Sequence, residues 1–190
     1  VIFTASATTT GAYLTRTTDS LKNVLAPGKL TVEVKEPGWQ EKSGESVLPA
    51  ESRTKNPLVK NSGTLDSWMF LEVNIPIRRI SLVDENTKRK QPEGETELFR
   101  FRINAGWELI EKTRIGNDMC YVYGWKEMVA PTKQTGTLFD SVTMVPYLEG
   151  SLNDKEVYQI RVTAKAIQKN IAPAGTGMKD LYQIYLSNQK

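Results

Sequence analysis

Hydrophobic and polar residues alternate along much of the chain, most clearly between residues 56 and 76. Four large apolar residues occupy every second position there: Met69, Leu71, Val73 and Ile75. The opposite face begins with Trp68 and Phe70 and then turns polar. Alternation of this kind is typical of a β-strand with one buried face. We therefore predict that the row of four apolar residues is the centre of the core, in a strand that runs from a covered region of antiparallel sheet toward a solvated end.

The same pattern predicts further strands on both sides of this one. They span residues 30–34, 77–83, 98–103, 107–113, 119–126, 138–148 and 157–167. Residues 104–106 are Asn-Ala-Gly, which predicts a hairpin between the strands at 98–103 and 107–113. Pro76 has no N–H to donate, so we expect a bulge or an edge position at this residue.

The end of the chain combines a strand with a helix. In the strand we expect one row to face inward: Tyr158, Ile160, Val162, Ala164 and Ala166. We expect the other row to face water: Gln159, Arg161, Thr163 and Lys165. Apolar residues then recur at spacings of three and four, which predicts a short amphipathic helix. These residues are Met178, Leu181, Ile184 and Tyr185.

About eight strands and one short helix predict a mainly β fold, an antiparallel β-sandwich with jelly-roll or Greek-key connections. A barrel is the alternative that the strand spacing leaves open. We expect residues 23–190 to form one sandwich domain and residues 1–22 to form an N-terminal arm. A chain of 190 residues is long enough to bury a self-sufficient core.

Composition narrows the classes of function. The chain has 25 basic and 22 acidic residues, a net charge of +3, and these charges are spread along its length. The densest basic run, residues 88–90, has acidic residues around it, and Arg100 and Arg102 lie on the polar face of a strand, so no nucleic-acid partner is predicted. No apolar stretch approaches the roughly 18 residues of a membrane-spanning helix, so no transmembrane segment is predicted.

The chain has no histidine and a single cysteine. These counts exclude an intrachain disulfide and any zinc site built on cysteine clusters or an HExxH helix. A carboxylate-only calcium loop is also missing from the sequence. We therefore predict no catalytic residue, no metal site and no cofactor. Cys120 lies between large apolar neighbours and is expected to be a buried strand residue rather than a reactive thiol.

The first ten residues allow two interpretations. Ala5-Ser6-Ala7 is an A-x-A pattern that occurs at the end of secretory signals. Alternatively, the segment is a mature strand in which Val1, Phe3, Ala5 and Ala7 alternate with Ile2, Thr4, Ser6 and Thr8. In both interpretations we expect an exported protein.

Several stretches, taken in order, carry a family resemblance: AYLTRTTDS, GKLTV, KNSGTLDSWMFLEV, ELFRFRINAGW, CYVYGW and LFDSVTMV. Together they resemble the TasA/camelysin family of secreted proteins that a SipW-type signal peptidase processes. The resemblance covers most of the chain and implies a jelly-roll-like structural subunit of biofilm-matrix fibres at the surface of a Gram-positive-type bacterium. It implies self-association, with other matrix proteins or the cell wall as further partners. Processing in the family is expected near Ala12-Tyr13, whereas twelve residues precede Tyr13 here.

Three hypotheses follow. In the first, subunits polymerise head to tail, with Val1, Ile2, Phe3, Ala5 and Ala7 as the donor strand and residues 9–20 as the connector. In the second, the protein is a monomeric adhesin that binds glycan or protein through exposed tryptophans among Trp39, Trp107 and Trp125, although such residues more often close the core. The third is a camelysin-like peptidase, which the missing histidine disfavours. We therefore expect a structural protein and not an enzyme.

Overall fold

The structure, a computed structural model, describes residues 15–17, 30–37, 48–153 and 156–188. Within these residues the chain forms eleven strands and one α-helix. The strands are β1 (Thr15–Thr17), β2 (Val32–Lys35), β3 (Ser52–Thr54), β4 (Leu58–Asn61), β5 (Ser67–Ile80), β6 (Gly94–Glu97), β7 (Phe99–Phe101), β8 (Trp107–Ile115), β9 (Asp118–Trp125), β10 (Ser141–Met144) and β11 (Arg161–Gln168). The helix is α1 (Met178–Ser187), and Lys169–Ile171 forms a 3-10 turn. The predicted mainly β fold with one short C-terminal helix is confirmed.

All strand pairs are antiparallel. The main sheet has the order β1-β11-β5-β9-β8, and β6 also pairs with β5. The second sheet has the order β3-β10-β7, and β2 pairs with β4. One hydrophobic cluster joins the three sheets, since it contains Leu71 of the main sheet, Val142 of the second sheet and Val32 of the two-stranded sheet. The sheets therefore pack as a β-sandwich around a common core.

β5 is the central strand of the main sheet, with β11 on one side and β9 on the other. The four residues of the predicted core row are almost completely buried, with exposures of 0% for Met69, Leu71 and Val73 and 1% for Ile75. Pro76 lies where the pairing of β5 changes. It faces Asp118 at the start of β9, and from Ile77 onward β5 pairs with β6.

A buried asparagine shapes the loop that leads into β5. The side-chain Nδ2 of Asn61 donates to the carbonyl oxygens of Leu65 and Val129, each at 2.8 Å. Its Oδ1 accepts a hydrogen bond from the Gly63 N–H at 3.0 Å. Because Asn61 is 0% exposed, these bonds replace the water it loses on folding. The polar stretch before β5 is thus an ordered turn held by one side chain.

The helix α1 covers the outer face of the main sheet. It packs Met178, Leu181, Tyr182 and Tyr185 against a second cluster that includes Phe70. Lys165 on β11 was expected to face water, and this prediction is wrong. Its side chain is only 13% exposed because α1 lies over it, and its ammonium pairs with Glu72.

The predicted hairpin between residues 98–103 and 107–113 is also wrong. Phe101 of β7 pairs with Val142 of β10, whereas Trp107 of β8 pairs with Trp125 of β9. The Asn-Ala-Gly segment therefore carries the chain from the second sheet to the main sheet. A short loop with glycine reverses the chain in both arrangements, so the local signal does not distinguish them.

Two further segments differ from the predicted boundaries. The last strand begins at Arg161, and Val157, which was placed inside it, is 78% exposed. Within the predicted connector, Thr15–Thr17 pairs with β11 of the same chain and forms an edge of the main sheet. Residues 1–10, including the proposed donor strand, lie outside the described residues.

Candidate functional site

The main sheet is longer than the sheet that faces it. β8, β9 and β11 have eight or nine residues each, whereas β3, β7 and β10 have three or four. In the described part of the chain, some of the inner face of the main sheet therefore has no strand over it. This region forms a groove of about 800 Å³, which we call the docking groove. Its lining includes Ile75, Phe101, Ile103, Leu109, Tyr121 and Tyr123.

Two large aliphatic side chains of the docking groove are exposed. Leu109 on β8 is 47% exposed, and Ile103, just after β7, is 39% exposed. Single exposed aliphatic residues are common on protein surfaces. Here, however, both line the same groove with aromatic side chains, and a contiguous apolar surface of this kind indicates a site of interaction.

The strand β7 gives the docking groove an open backbone edge. It pairs with β10 on one side, and no other described strand pairs with it. Alternate residues of a strand direct their N–H and C=O groups toward opposite edges. An open edge next to an apolar groove is the arrangement to which an extended peptide adds as a further strand, with main-chain hydrogen bonds to the edge and side chains in the groove.

An aromatic cluster forms one wall of the docking groove. The ring of Phe101 lies 4.5 Å from that of Phe139, 6.0 Å from that of Tyr121 and 6.2 Å from that of Tyr123. Tyr121 and Tyr123 are stacked, with an angle of 8° between their rings. Burial raises the pKa of Tyr121 and Tyr123, so both phenols are neutral at physiological pH. The wall is therefore packed and uncharged.

A set of ion pairs crosses one end of the docking groove from β6 to β8, and we call it the ion-pair strap. Arg114 binds Glu95 through two hydrogen bonds of 2.6 and 2.8 Å, an arrangement that lowers the pKa of Glu95. Glu97 lies 3.0 Å from the ammonium of Lys112. Glu97 also accepts a hydrogen bond of 2.6 Å from the hydroxyl of Tyr121. The acidic and basic groups of the strap thus satisfy each other.

The other end of the docking groove carries a cation without an ionic partner in the part of the chain that the structure describes. Arg102 is exposed and forms no ion pair with another described residue. Its neighbour Arg100 lies 3.8 Å from Glu85. A smaller hollow of about 430 Å³ adjoins this end and contains Arg102, Asn104 and Asp140. The two ends of the groove therefore differ in charge.

The other free edge near the docking groove, β8, is protected against pairing. A β-bulge lies between Leu109 and Glu111, where the register with β9 shifts. Beyond it the strand carries Glu111, Lys112 and Arg114. Bulges and charges on an edge strand oppose the addition of another strand. Of the two edges, β7 is the one that can accept an extended chain.

Few of the residues that the sequence pattern singles out are found in the lining of the docking groove. Ile75 contributes to its floor, whereas Met69, Leu71 and Val73 lie beneath the covered part of the sandwich. Trp107 is 3% exposed and packs against the half-buried Trp125, with 5.3 Å between ring centroids, so Trp107 belongs to the core. Trp39 lies outside the described residues.

Cys120 lies on the opposite face of the main sheet, beneath α1. It is 4% exposed, and burial raises the pKa of its thiol to about 11.

Within the described residues, no three histidine, cysteine, aspartate or glutamate side chains come close enough to hold a metal ion. Among the helices of the same residues, none has the length and apolar character required to cross a membrane.

Comparison of the chain with protein-family models, with curated proteins and with solved structures finds no match. The docking groove is therefore interpreted from its own geometry. Sequence reasoning missed it, although one signal was present: Glu95 and Glu97 repeat at a spacing of two, as do Lys112 and Arg114. These spacings predict an acidic row on one strand and a basic row on another. Only the packing of the strands brings the two rows together as ion pairs.

Proposed function

We propose that the protein is a structural subunit of extracellular fibres in a bacterial biofilm matrix, and that residues 1–10 of one subunit dock in the docking groove of the next. The observation that carries this proposal is an inner face of the main sheet that no described strand covers, beside an edge of β7 that no described strand pairs with. A β-sandwich that has an open strand edge beside an uncovered apolar face accepts one more strand. A jelly-roll topology and a location at the cell surface, which the family resemblance implies, belong to the same proposal.

The composition of residues 1–10 suits the docking groove. The segment contains no charged side chain. Val1, Phe3, Ala5 and Ala7 alternate with more polar residues and decrease in size along the segment. A strand of this kind inserts one apolar row against the floor while its backbone pairs with β7. Such a segment is not stable as an isolated strand, so docking is favoured by the burial it provides.

Chain geometry favours donation to a neighbour. Thr15 pairs with Ile167, which faces Trp68 on β5, whereas the floor of the groove lies around Ile75. Seven residues along β5 correspond to about 23 Å, and the two strand spacings from β1 to β5 correspond to about 10 Å, so Thr15 and Ile75 are about 25 Å apart. A fully extended segment of five residues spans at most about 18 Å, which is shorter than this separation. A donor segment from a neighbouring subunit is not subject to this limit of chain length.

Donation from one subunit to the next gives a contact between two different surfaces. Such a head-to-tail contact does not close on itself after a single step, and repetition produces a filament. No reaction chemistry is needed for this role. The main partner in this proposal is a second copy of the chain, and other matrix proteins or the cell wall are further partners.

Deletion of residues 1–10 tests the donor. We expect a soluble monomer whose thermal melt is similar to that of the full chain and which forms no fibres by electron microscopy. A synthetic peptide of residues 1–10 should slow the growth of full-length fibres by occupying free grooves. Fibres of normal morphology from the deletion variant would show that the donor is another segment.

A matched pair of substitutions on β8 tests the acceptor. Leu109→Glu places a charge in the docking groove, whereas Ile115→Glu changes a residue of similar size that is 60% exposed and does not line the groove. Both positions tolerate a polar side chain in the monomer because both are exposed. We expect Leu109→Glu to abolish fibre growth and Ile115→Glu to retain it. Equal growth of the two variants would exclude this groove as the acceptor.

A further inference from the structure

The two ends of the docking groove present different charges to an occupant. At the strap end, Glu95 and Glu97 are paired with Arg114 and Lys112. At the other end, the exposed guanidinium of Arg102 has no ionic partner among the described residues. The contrast lies along the length of the groove, so it affects different positions of an extended occupant.

The consequences for a bound strand follow from the cost of removing charge from water. A charged side chain placed against the ion-pair strap loses hydration and finds no unpaired group of opposite sign, which is unfavourable. An acidic side chain near Arg102 instead gains a charge-assisted hydrogen bond. A strand without charged side chains avoids the cost of desolvation at the ion-pair strap, but it does not gain the hydrogen bond to Arg102.

We propose that the docking groove selects its occupant by charge: it favours a strand that is neutral where it crosses the ion-pair strap and acidic where it passes Arg102. This inference rests on the proposed function, because it requires that an extended strand docks beside β7. It goes further by naming the residues that determine specificity, which are Arg102 at one end and Glu97 with Lys112 at the other. Residues 1–10 have no charged side chain, so they are neutral at the ion-pair strap but offer no acidic residue to Arg102. A strand that meets both conditions should displace them.

The test uses the full chain and fluorescent peptides with blocked ends, so that terminal charges do not contribute. One peptide has the sequence of residues 1–10, and two others carry Thr4→Asp or Thr10→Asp. The two positions are about 20 Å apart in an extended strand, so they approach opposite ends of the groove. Anisotropy titrations should show that one acidic peptide binds about two- to fivefold more tightly than the neutral peptide, as for one exposed ion pair, and that the other binds more weakly.

Two variants assign these effects to their residues. Arg102→Gln should remove the gain of the tighter acidic peptide and leave the neutral peptide unchanged. Glu97→Gln leaves Lys112 without its carboxylate, so the weaker acidic peptide should bind at least as well as the neutral one. Arg79→Gln is the control, since Arg79 is a 70% exposed cation that does not line the groove, and it should change none of the three affinities.

The outcomes separate this inference from the function on which it rests. If the neutral peptide binds but both acidic peptides bind with the same affinity, or if Arg102→Gln has no effect, charge selection is wrong while strand docking stands. If none of the peptides binds, strand docking and charge selection are both overturned.

Discussion

The Nζ atom of Lys165 lies 2.5 Å from Oε2 of Glu72 and 3.2 Å from the hydroxyl oxygen of Tyr182, directly beneath α1. The rings of Tyr182 and Tyr185 both lie 5.6 Å from the same ammonium. Burial is the largest single influence on both groups and acts against both charges. The hydrogen bond and the Coulombic attraction between them, with the further hydrogen bonds to Asn74 and Tyr182, together outweigh it, so the pKa of Glu72 is lowered and that of Lys165 is raised. The contact joins β5, β11 and the helix.

This ion pair predicts how stability depends on pH. The lowered pKa of Glu72 gives a contribution that is complete above its ordinary value of 4.5 and is lost as the pH falls through the folded-state pKa. The raised pKa of Lys165 gives a contribution that is complete below 10.5 and is lost at still higher pH. Urea titrations across pH should show a plateau between these limits for this contribution. In Glu72→Gln the acid-side loss should be smaller, and an unchanged acid-side loss would contradict this assignment.

Removal of one partner should destabilise the protein more than removal of both. Lys165→Met leaves the Glu72 carboxylate without its cation, and we expect a loss of about 2–3 kcal/mol. This is less than for a fully buried pair because the two side chains are 13% and 21% exposed. The double variant Lys165→Met with Glu72→Leu should lose less than Lys165→Met alone. Additive losses in the double-mutant cycle would show that the two groups do not act as a pair.

The core row should be sensitive to truncation. Leu71 is 0% exposed, so Leu71→Ala removes buried surface and leaves a cavity, at an expected cost of about 2–5 kcal/mol. Asn74→Ser is the control on the other face of the same strand, where the Asn74 amide donates to Glu72 at 3.1 Å. It should cost less than about 1 kcal/mol. Similar melting temperatures for the two variants would contradict the assigned faces of β5.

Cys120 should be unreactive and dispensable. It is buried beneath α1, and its thiol has a raised pKa, so little thiolate is available to react. A bulky maleimide should label the native protein far more slowly than a variant with Ser62→Cys in a Cys120→Ala background, because Ser62 is exposed. Cys120→Ala itself should change stability by about 1 kcal/mol and preserve the proposed fibre assembly. Rapid labelling of the unmodified protein, or loss of fibres in Cys120→Ala, would refute this prediction.

Gly106 lies in the loop that joins the two sheets, and Gly116, in the turn between β8 and β9, is its control. Gly106 has a φ of 91°, and a Cβ built there would lie 2.4 Å from the Trp125 ring. Gly116 has a φ of 59° and open space around it. Gly106→Ala should therefore cost about 2–4 kcal/mol, from backbone strain and a steric clash, and Gly116→Ala about 1 kcal/mol. Calorimetry measures both, and equal losses would show that Trp125 moves aside without cost.

Local periodicity was sufficient where one face of an element is covered and the other is not. The alternation around Leu71 and the three- and four-residue spacing from Met178 to Tyr185 predicted β5 and α1, because burial on one side imposes the period of the element on the sequence. The strands β3 and β6 contain only three or four residues, so alternation within them is too short to identify a strand, and for β7 the pattern predicted the strand but not its partner. The wrong hairpin at Gly106 has the same origin, since pairing partners are chosen by contacts distant in sequence.

The sequence by itself therefore determined the class of fold, the core row of β5, the C-terminal helix and the absence of histidine chemistry, all of which follow from residue type and period. Only the tertiary structure decided what lies over each face. It placed α1 over Lys165, which alternation alone had assigned to water, and it left the surface around Leu109 and Tyr121 without a covering strand among the described residues. An uncovered surface is a property of two sheets of unequal length, and no residue along the chain encodes it separately.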